Sequence, residues 1–505
     1  MKTIRFTPET LALFSSASHD RNPLHLSEEY ARRTPYGGRV VFGVLDALTA
    51  LSEAPDRAGT TLASIELEFF DTALLGIDYA LQVTEHGPDC TVRVSDGHRP
   101  VLEAVLSFRA GATPAFDAPQ RWQPLAEAKN RSCADLAAGE QLNGQYAPAL
   151  ESLVDLRSRL QLKQHWLSDA HVATLMWASY LIGMELPGRK ALFSRLRIEF
   201  LEPITVSLPF EYMASISEVS ELGELTIEAR LISHGKTWAN ATLAAHVREE
   251  LTPATTESVE RLVGRSSALS GKIAFVTGSS RGLGAALVRV LALHGSTVIA
   301  NFATSTAAAE ELRSSLSGVP GRVVLEPGNI ADPNWCARAQ QRLAANFGRL
   351  DVLICNASPP LLPLWLEPAA ADRVTTFVRQ AVEMVSAPMM VFLPLLGSSK
   401  GWNILISSTA VSQPHSHFPH YVVAKSAAEA LVRAASTEYR SVSSIIVRPS
   451  RLLTDLTNTP LGRRGALPPE HVAAAVLRRV LGTPCSGKLE ILEGFSSQPA
   501  EKAGA

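Results

Sequence analysis

Two segments of this 505-residue chain hold residues whose types and spacing suit proton transfer. In Ser18-His-Asp-Arg-Asn-Pro-Leu-His25, Asp20 and His25 stand five apart with Asn22-Pro23 between them. Asn-Pro favours a turn, and a turn there lets a carboxylate and an imidazole point into one cavity. An acid–base pair needs that: two groups within reach of one substrate, with pKa values set apart by their surroundings. Asp is also a favoured helix cap, so the spacing alone leaves open Asp20 as a cap and His25 as a surface residue.

The second segment, Tyr421-Val-Val-Ala-Lys425, puts a phenol and an ammonium at i, i+4, neighbours on one helix face. A cation beside a phenol favours the phenolate, so the Tyr421 pKa is expected to move toward neutrality. Ser408, at the end of the apolar run Asn403–Ile406, is placed to hydrogen-bond a substrate carbonyl. Upstream, Thr277-Gly-Ser-Ser-Arg-Gly-Leu-Gly284 follows the apolar run Ile273–Val276. Gly278, Gly282 and Gly284, with Ser280, Arg281 and Leu283 between them, allow a tight turn and close backbone approach to a pyrophosphate at a helix start. Asn356-Ala357 follows Val352–Ile354 and supports the cofactor side of that loop. An acid holding the ribose of NAD should end the second strand about 20 residues after the glycines. That strand ends Ile299-Ala-Asn301 with neither Asp nor Glu, and Arg281 is placed to meet a 2′-phosphate. NADPH is the cofactor expected.

These residues need elements to hold them. From 271 to 505, apolar runs (Ile273–Val276, Thr297–Ala300, Val323–Leu325, Val352–Ile354, Asn403–Ile406, Ser444–Val447) alternate with helical stretches. Continuous apolar strands are buried on both faces, which predicts a doubly wound α/β domain with a parallel sheet. The first half reads as α+β. SIELEFFD at 64–71 and RLRIEFLE at 195–202 are alternating strands offset by 131 residues. An apolar helical segment precedes each (Val41–Leu51 and His171–Met184), and strand-like runs follow each. A helix and a strand meander, repeated once, suggest two similar units packed as a pair. The expected domains are 1–115 and 125–250, a polar connector at 251–270, and 271–505.

Phe14 to Leu45 closely resembles the signature of the MaoC-like (R)-specific enoyl hydratases, hot-dog proteins that hydrate 2-enoyl thioesters or dehydrate 3-hydroxyacyl thioesters. The resemblance puts the catalytic Asp and His on Asp20 and His25. It puts an oxyanion-binding N–H on Gly43, at the N-terminus of the hot-dog helix. The second unit resembles the partner half of a double hot dog; without an Asp-Asn-Pro-His segment it is expected to be structural and to line the acyl pocket. Phe42 stands where the family has His, and His19 where it has Gly. Residues 272–495 resemble the short-chain dehydrogenase/reductases, specifically 3-oxoacyl-thioester reductases. That implies catalysis by Ser408, Tyr421 and Lys425, and a cofactor site built from the glycine loop, Asn301, Asn329, Asn356 and Ala357. Here the departures are Met384 for a relay Asn, Asn329 for an Asp after the third strand, and Ser450 for a Gly.

Together the resemblances imply a bifunctional NADPH-dependent 3-oxoacyl reductase and 3-hydroxyacyl dehydratase, acting on thioesters of acyl carrier protein or coenzyme A in fatty acid or polyketide-type biosynthesis. A degradative hydratase–dehydrogenase and a non-catalytic acyl-binding scaffold are the alternatives. Self-association through helices flanking the reductase sheet is expected. Composition narrows the rest: 46% hydrophobic and 19% charged residues exclude a disordered or coiled-coil chain. A net charge of −2 gives no field for nucleic acid or anionic lipid. Five scattered cysteines suggest neither a disulfide framework nor a metal site and fit a reducing, cytoplasmic setting. No uninterrupted apolar run of ~18 residues exists, so no membrane span is expected.

Overall fold

The computed structural model describes residues 2–117, 122–201, 205–414, 416–459, 461–482 and 486–495. Glu202 of the second repeat strand and Cys485 lie outside them. The chain forms two compact units, Met1–Glu250 and Leu251–Ala505.

The first unit has strands β1 (Lys2–Arg5), β2 (Thr60–Phe69), β3 (Asp78–His86), β4 (Asp89–Asp96), β5 (Arg99–Ala110), β6 (Gln141–Tyr146), β7 (Ala191–Phe200), β8 (Phe210–Val219), β9 (Glu224–Ser233) and β10 (Lys236–Val247). Its helices are α1 (Pro8–Ser18), α2 (Pro23–Leu26), α3 (Glu28–Ala31), α4 (Gly43–Leu51), α5 (Leu150–Leu160) and α6 (Asp169–Tyr180). The strands form one antiparallel sheet in the order β1-β3-β4-β5-β2-β7-β10-β9-β8-β6. Read outward from the β2/β7 junction, each half lists its strands in the same order of appearance. Across that junction Glu66 pairs with Arg197, residues 131 apart, so equivalent positions face each other and the halves meet about a local two-fold. In β2, Ile65 and Leu67 are buried while Glu66 and Glu68 are exposed; β7 buries Leu196 and Ile198 and exposes Arg197 and Glu199. This period-two pattern gives the sheet one apolar face, which packs with α4 and α6 in a single core. Beyond Tyr180, α6 continues as a π-type turn, Leu181–Glu185, where the Leu186 N–H donates to the Leu181 carbonyl at 2.8 Å.

The second unit has a seven-stranded parallel sheet: β11 (Ile273–Val276), β12 (Thr297–Phe302), β13 (Arg322–Pro327), β14 (Val352–Cys355), β15 (Trp402–Ile406), β16 (Ser443–Val447) and β17 (Leu489–Leu492). Its helices are α7 (Thr256–Val263), α8 (Gly282–Leu293), α9 (Thr306–Ser315), α10 (Pro333–Phe347), α11 (Ala371–Ser399), α12 (Pro419–Glu438) and α13 (Pro469–Gly482). The order β13-β12-β11-β14-β15-β16-β17 reverses direction at β11/β14. In such sheets the crevice beyond the strand ends at this switch point is where ligands sit. The loops carrying Gly278 and Asn356 both open there.

One expectation needs correction. The stretch 251–270 is not only a polar connector: it contains α7, capped by the Thr255 hydroxyl, and its Val259 is fully buried in the core beside α8. The helix over Pro368–Ser399 has the length and mean hydropathy, 1.5, of a membrane span, although it contains no uninterrupted apolar run of that length. Its apolar residues Val385, Met389, Phe392 and Leu396 pack into the core shared with β14 and α12.

Candidate active sites

In the first unit, a cavity is lined by residues of both halves, among them Asp20, His25, Gly43, Asp46, Ser179 and Gly183. Its geometry begins at the end of α1. His19 takes a left-handed conformation, φ 59°, which stops the helix and turns the chain into Asp20. Asn22, not Asp20, caps α2, its side chain accepting the Leu24 N–H at 3.0 Å. The Asn22 amide also donates to the carbonyls of Gly183 at 3.3 Å and Gly188 at 3.2 Å, tying the turn to the second half.

The Asp20 carboxylate is thereby free for the cavity. It accepts the Asn22 N–H at 3.0 Å and the Ser179 hydroxyl at 2.7 Å. Burial still dominates and raises its pKa to about 7, those two bonds working the other way. His25 donates from Nδ1 to the Val40 carbonyl at 2.9 Å. A carbonyl can only accept, so the neutral ring keeps its lone pair on Nε2. Desolvation lowers the imidazole to about 4. Phe42 stacks on the ring, centroids 3.9 Å apart. The acid therefore sits above the imidazole: near neutral pH the carboxyl holds a proton part of the time, and the His25 ring is neutral with Nε2 unprotonated.

Gly43 is the first residue of α4, and no side chain caps that end, so its first-turn N–H groups lack intrahelical partners. A Cβ at Gly43 would come within 2.8 Å of the Phe69 ring. Three cavity residues escaped the sequence reading. A Cβ at Gly183 would lie 2.5 Å from both Asp20 carboxylate oxygens, so only glycine lets the carboxylate approach α6. Ser179 donates to that carboxylate, so the second half does more than line the pocket. Asp46 is 2% exposed, its Oδ1 has no hydrogen-bond partner, and burial raises its pKa to about 7. An unsatisfied buried polar atom costs about 1–3 kcal/mol. The signals were present: a glycine and a serine in the apolar run His171–Met184, and one charged residue in Val41–Leu51.

In the second unit, a cavity is lined by Ala357, Ser358, Phe377, Tyr421 and Lys425 among others. Tyr421 and Lys425 share a face of α12, with Lys425 Nζ 5.6 Å from the phenol ring centre. Lys425 donates to the Ile406 carbonyl at the end of β15 at 2.8 Å. Ser408 follows β15, accepts the Ala410 N–H at 3.1 Å, and its hydroxyl hydrogen-bonds the phenol. One expectation is overturned here: the phenol is raised, not drawn down, because desolvation outweighs the Ser408 bond. Desolvation also lowers the Lys425 ammonium, to about 8. Met384 is partly buried and packs against the core.

The glycine loop fits a dinucleotide. Gly278 and Gly282 have φ of 62° and 54°. A Cβ at Gly278 would sit 2.9 Å from Ala357 Cα, and one at Gly284 would strike the Gly278 carbonyl. Helix α8 begins at Gly282 with no side-chain cap, which leaves its dipole end for an anion. Asn356 holds the loop from below, its amide donating to Gly278 at 2.9 Å and its N–H to the Thr277 hydroxyl at 2.9 Å. The other expected cofactor residues divide. Ser280 lies in the loop, Leu283 is buried in the first turn of α8, and Arg281 reaches Asp455 at 3.6 Å. Asn301 is 1% exposed and its amide donates to the carbonyls of Glu326 and Gly328, both at 3.1 Å. Its amide nitrogen is spent on joining β12 to β13 rather than left for a cofactor. Asn329 accepts the Ala331 N–H at 3.1 Å, closing its own turn.

Residues 272–461 match the short chain dehydrogenase family model. The 3-oxoacyl-[acyl-carrier-protein] reductase of Synechocystis sp. is 29% identical over 228 residues, 42% of this chain and 89% of that protein. Cis-4-hydroxycyclohexanecarboxylate dehydrogenase of Sinomonas cyclohexanicum is 28% identical over 218 residues, 43% of this chain and 84% of that protein. Among solved structures, an alcohol dehydrogenase of Thermococcus sibiricus complexed with 5-hydroxy-NADP is 26% identical with a TM-score of 0.41, covering 46% of this chain and 99% of that one.

Proposed function

Taking the second unit as a short-chain dehydrogenase domain, we propose that this chain is a bifunctional 3-oxoacyl-thioester reductase and 3-hydroxyacyl-thioester dehydratase. In this reading the first unit is a double hot dog with boundaries near 1–115 and 125–250, and NADPH is the cofactor. The observation that carries it is the placement of Asp20 and His25 on one cavity with opposed protonation.

Dehydration follows from that arrangement. His25 Nε2 takes the α-proton of a 3-hydroxyacyl thioester while the Asp20 carboxyl donates its proton to the leaving 3-hydroxyl. The C–O bond breaks, and water and the 2-enoyl thioester leave. The Gly43 N–H, at the positive end of α4, stabilises the enolate oxygen. His25, with its pKa near 4, sheds the proton at once, and Asp20 regains one from solvent.

In the second unit a bound nicotinamide supplies hydride. Ser408 hydrogen-bonds the 3-oxo group, Tyr421 donates its phenolic proton to the oxygen as it becomes an alkoxide, and Lys425 steadies the phenolate left behind. The raised phenol suits an acid that must hold its proton until that charge develops. Arg281 at the start of α8, and the lack of an acid at the end of β12, support NADPH over NADH. The substrate is a thioester of acyl carrier protein or coenzyme A, and self-association through the helices beside the sheet is part of the proposal.

The test uses an acetoacetyl thioester with either nicotinamide cofactor, following absorbance and enoyl formation. NADPH oxidation lost in Tyr421→Phe, together with enoyl formation lost in Asp20→Asn, supports both halves. Turnover only from a hydroxyacyl thioester with NAD would favour a degradative enzyme. No turnover of any thioester would leave an acyl-binding protein.

A further inference from the structure

We propose that the cavity of the first unit takes acyl thioesters whose chain carries an oxygen substituent, a hydroxyl or a carbonyl, and that Asp46 recognises it. The proposal rests on the dehydratase reading of that cavity and narrows its substrate class.

Asp46 and Gly43 line the same cavity from one helix. They are three positions apart on the helix, a rise of about 4.5 Å. A thioester carbonyl held at the Gly43 N–H therefore has Asp46 about one helical turn away on the same cavity wall. The same cavity has apolar walls at Leu24, Val40, Val41, Phe69 and Ile182, against which an acyl chain can lie.

No fold requirement accounts for the Asp46 carboxyl. Asp20, in the same cavity, has two donors on its oxygens. Asp71, also lining it, is ion-paired with Arg99 at 2.9 Å. Asp46 Oδ1 has no partner among the described residues. A plain alkyl chain would keep it unpartnered. A chain oxygen would satisfy it, and a neutral carboxyl offers both an O–H donor and a carbonyl acceptor. Burial favours that neutral form, so no charge has to be compensated. Sites built to bond a substrate oxygen discriminate strongly against analogues that lack it, because their own polar group is then stranded.

The experiment measures hydration by the full chain of a straight-chain 2-enoyl-CoA and of analogues bearing a hydroxyl or keto group at successive positions beyond the double bond. The expected result is a kcat/KM preference of about tenfold or more for at least one oxygenated analogue. Asp46→Leu should reverse the preference and Asp46→Asn only weaken it. If Asp46→Leu does not fold, the ratio in Asp46→Asn decides. An equal ratio for every analogue, or an unchanged ratio in the variants, overturns the role of Asp46 and leaves dehydration standing. Absence of all turnover overturns dehydration instead. Calorimetry with saturated acyl-CoAs, with and without the chain oxygen, then decides on Asp46: tighter binding of the oxygenated ligand that Asp46→Leu abolishes supports the role, and equal or absent binding rejects it.

Discussion

Ser179 and Asp20, 159 residues apart and in opposite halves of the first unit, share a hydrogen bond of 2.7 Å. One half supplies the carboxylate and the other tunes it. The bond favours the ionised form, against desolvation. Ser179→Ala should therefore raise the Asp20 pKa further. Enoyl hydration should fall about tenfold, with the matching limb of its pH–rate profile moved upward, while ketone reduction is unchanged. A profile identical to that of the unaltered protein would remove Ser179 from the site.

Gly183 gives a sharper steric test. A methyl group there would lie 2.5 Å from both carboxylate oxygens of Asp20, so either the carboxylate or the π-type turn has to move. Displacing a proton donor by about 1 Å costs on the order of a hundredfold in rate. Gly183→Ala should lose hydration by that factor while reductase activity persists, read by parallel assays on one preparation.

How far the sequence spoke depends on the distance over which each feature is set. The six parallel strands were legible because each is a short apolar run with its own turn, and β17 was not, since LEIL is an edge strand with two half-exposed leucines. The repeat showed through β2 and β7, which alternate cleanly, and not through β6, whose QLNGQY is polar and marginal. Asp20 and His25 were found because a local turn joins them. Ser179 and Gly183 reach the carboxylate only through tertiary packing, which no local pattern encodes. Asn301 was placed by its position at a strand end, and its role was decided by carbonyls 25 and 27 residues away.

That reassignment of Asn301 has a measurable consequence. Asn301→Ala removes two hydrogen bonds that hold β12 to the end of β13, at about 1 kcal/mol each plus the stranding of buried carbonyls. The second unit should lose roughly 2–3 kcal/mol in denaturant unfolding. The KM for the nicotinamide should stay within about threefold. A large KM change in a fully stable variant would return Asn301 to the cofactor site.

Lys425 sets an upper pH limit on reduction. Burial lowers its ammonium to about 8, so the charge is present below that pH and lost above it. Ketone reduction should decline as pH rises through about 8, well before an ordinary lysine would titrate. Lys425→Met should abolish the reaction together with that limb, while hydration continues. Stopped-flow reduction at saturating nicotinamide across roughly pH 6 to 10 separates this loss from weakened cofactor binding.

Asp46 also couples stability to pH. Its folded-state pKa is raised to about 7 from an ordinary 3.8. Below about pH 4 both folded and unfolded chains hold the proton, and the group has no effect. Between there and about 7 the unfolded chain releases it while the folded chain keeps it, so rising pH favours unfolding. Above that both are ionised and the slope disappears. The whole step is on the order of 4 kcal/mol. Asp20 acts in the same direction but is common to both proteins compared here. Asp46→Asn removes one such step, so its stability relative to the unaltered chain should climb from pH 4 to 7 and then level off, roughly over the window between the two pKa values. Hydrogen exchange of the α4 amides reports the first unit alone, and a difference that stays flat across that window would show that the carboxyl is ionised in the folded protein.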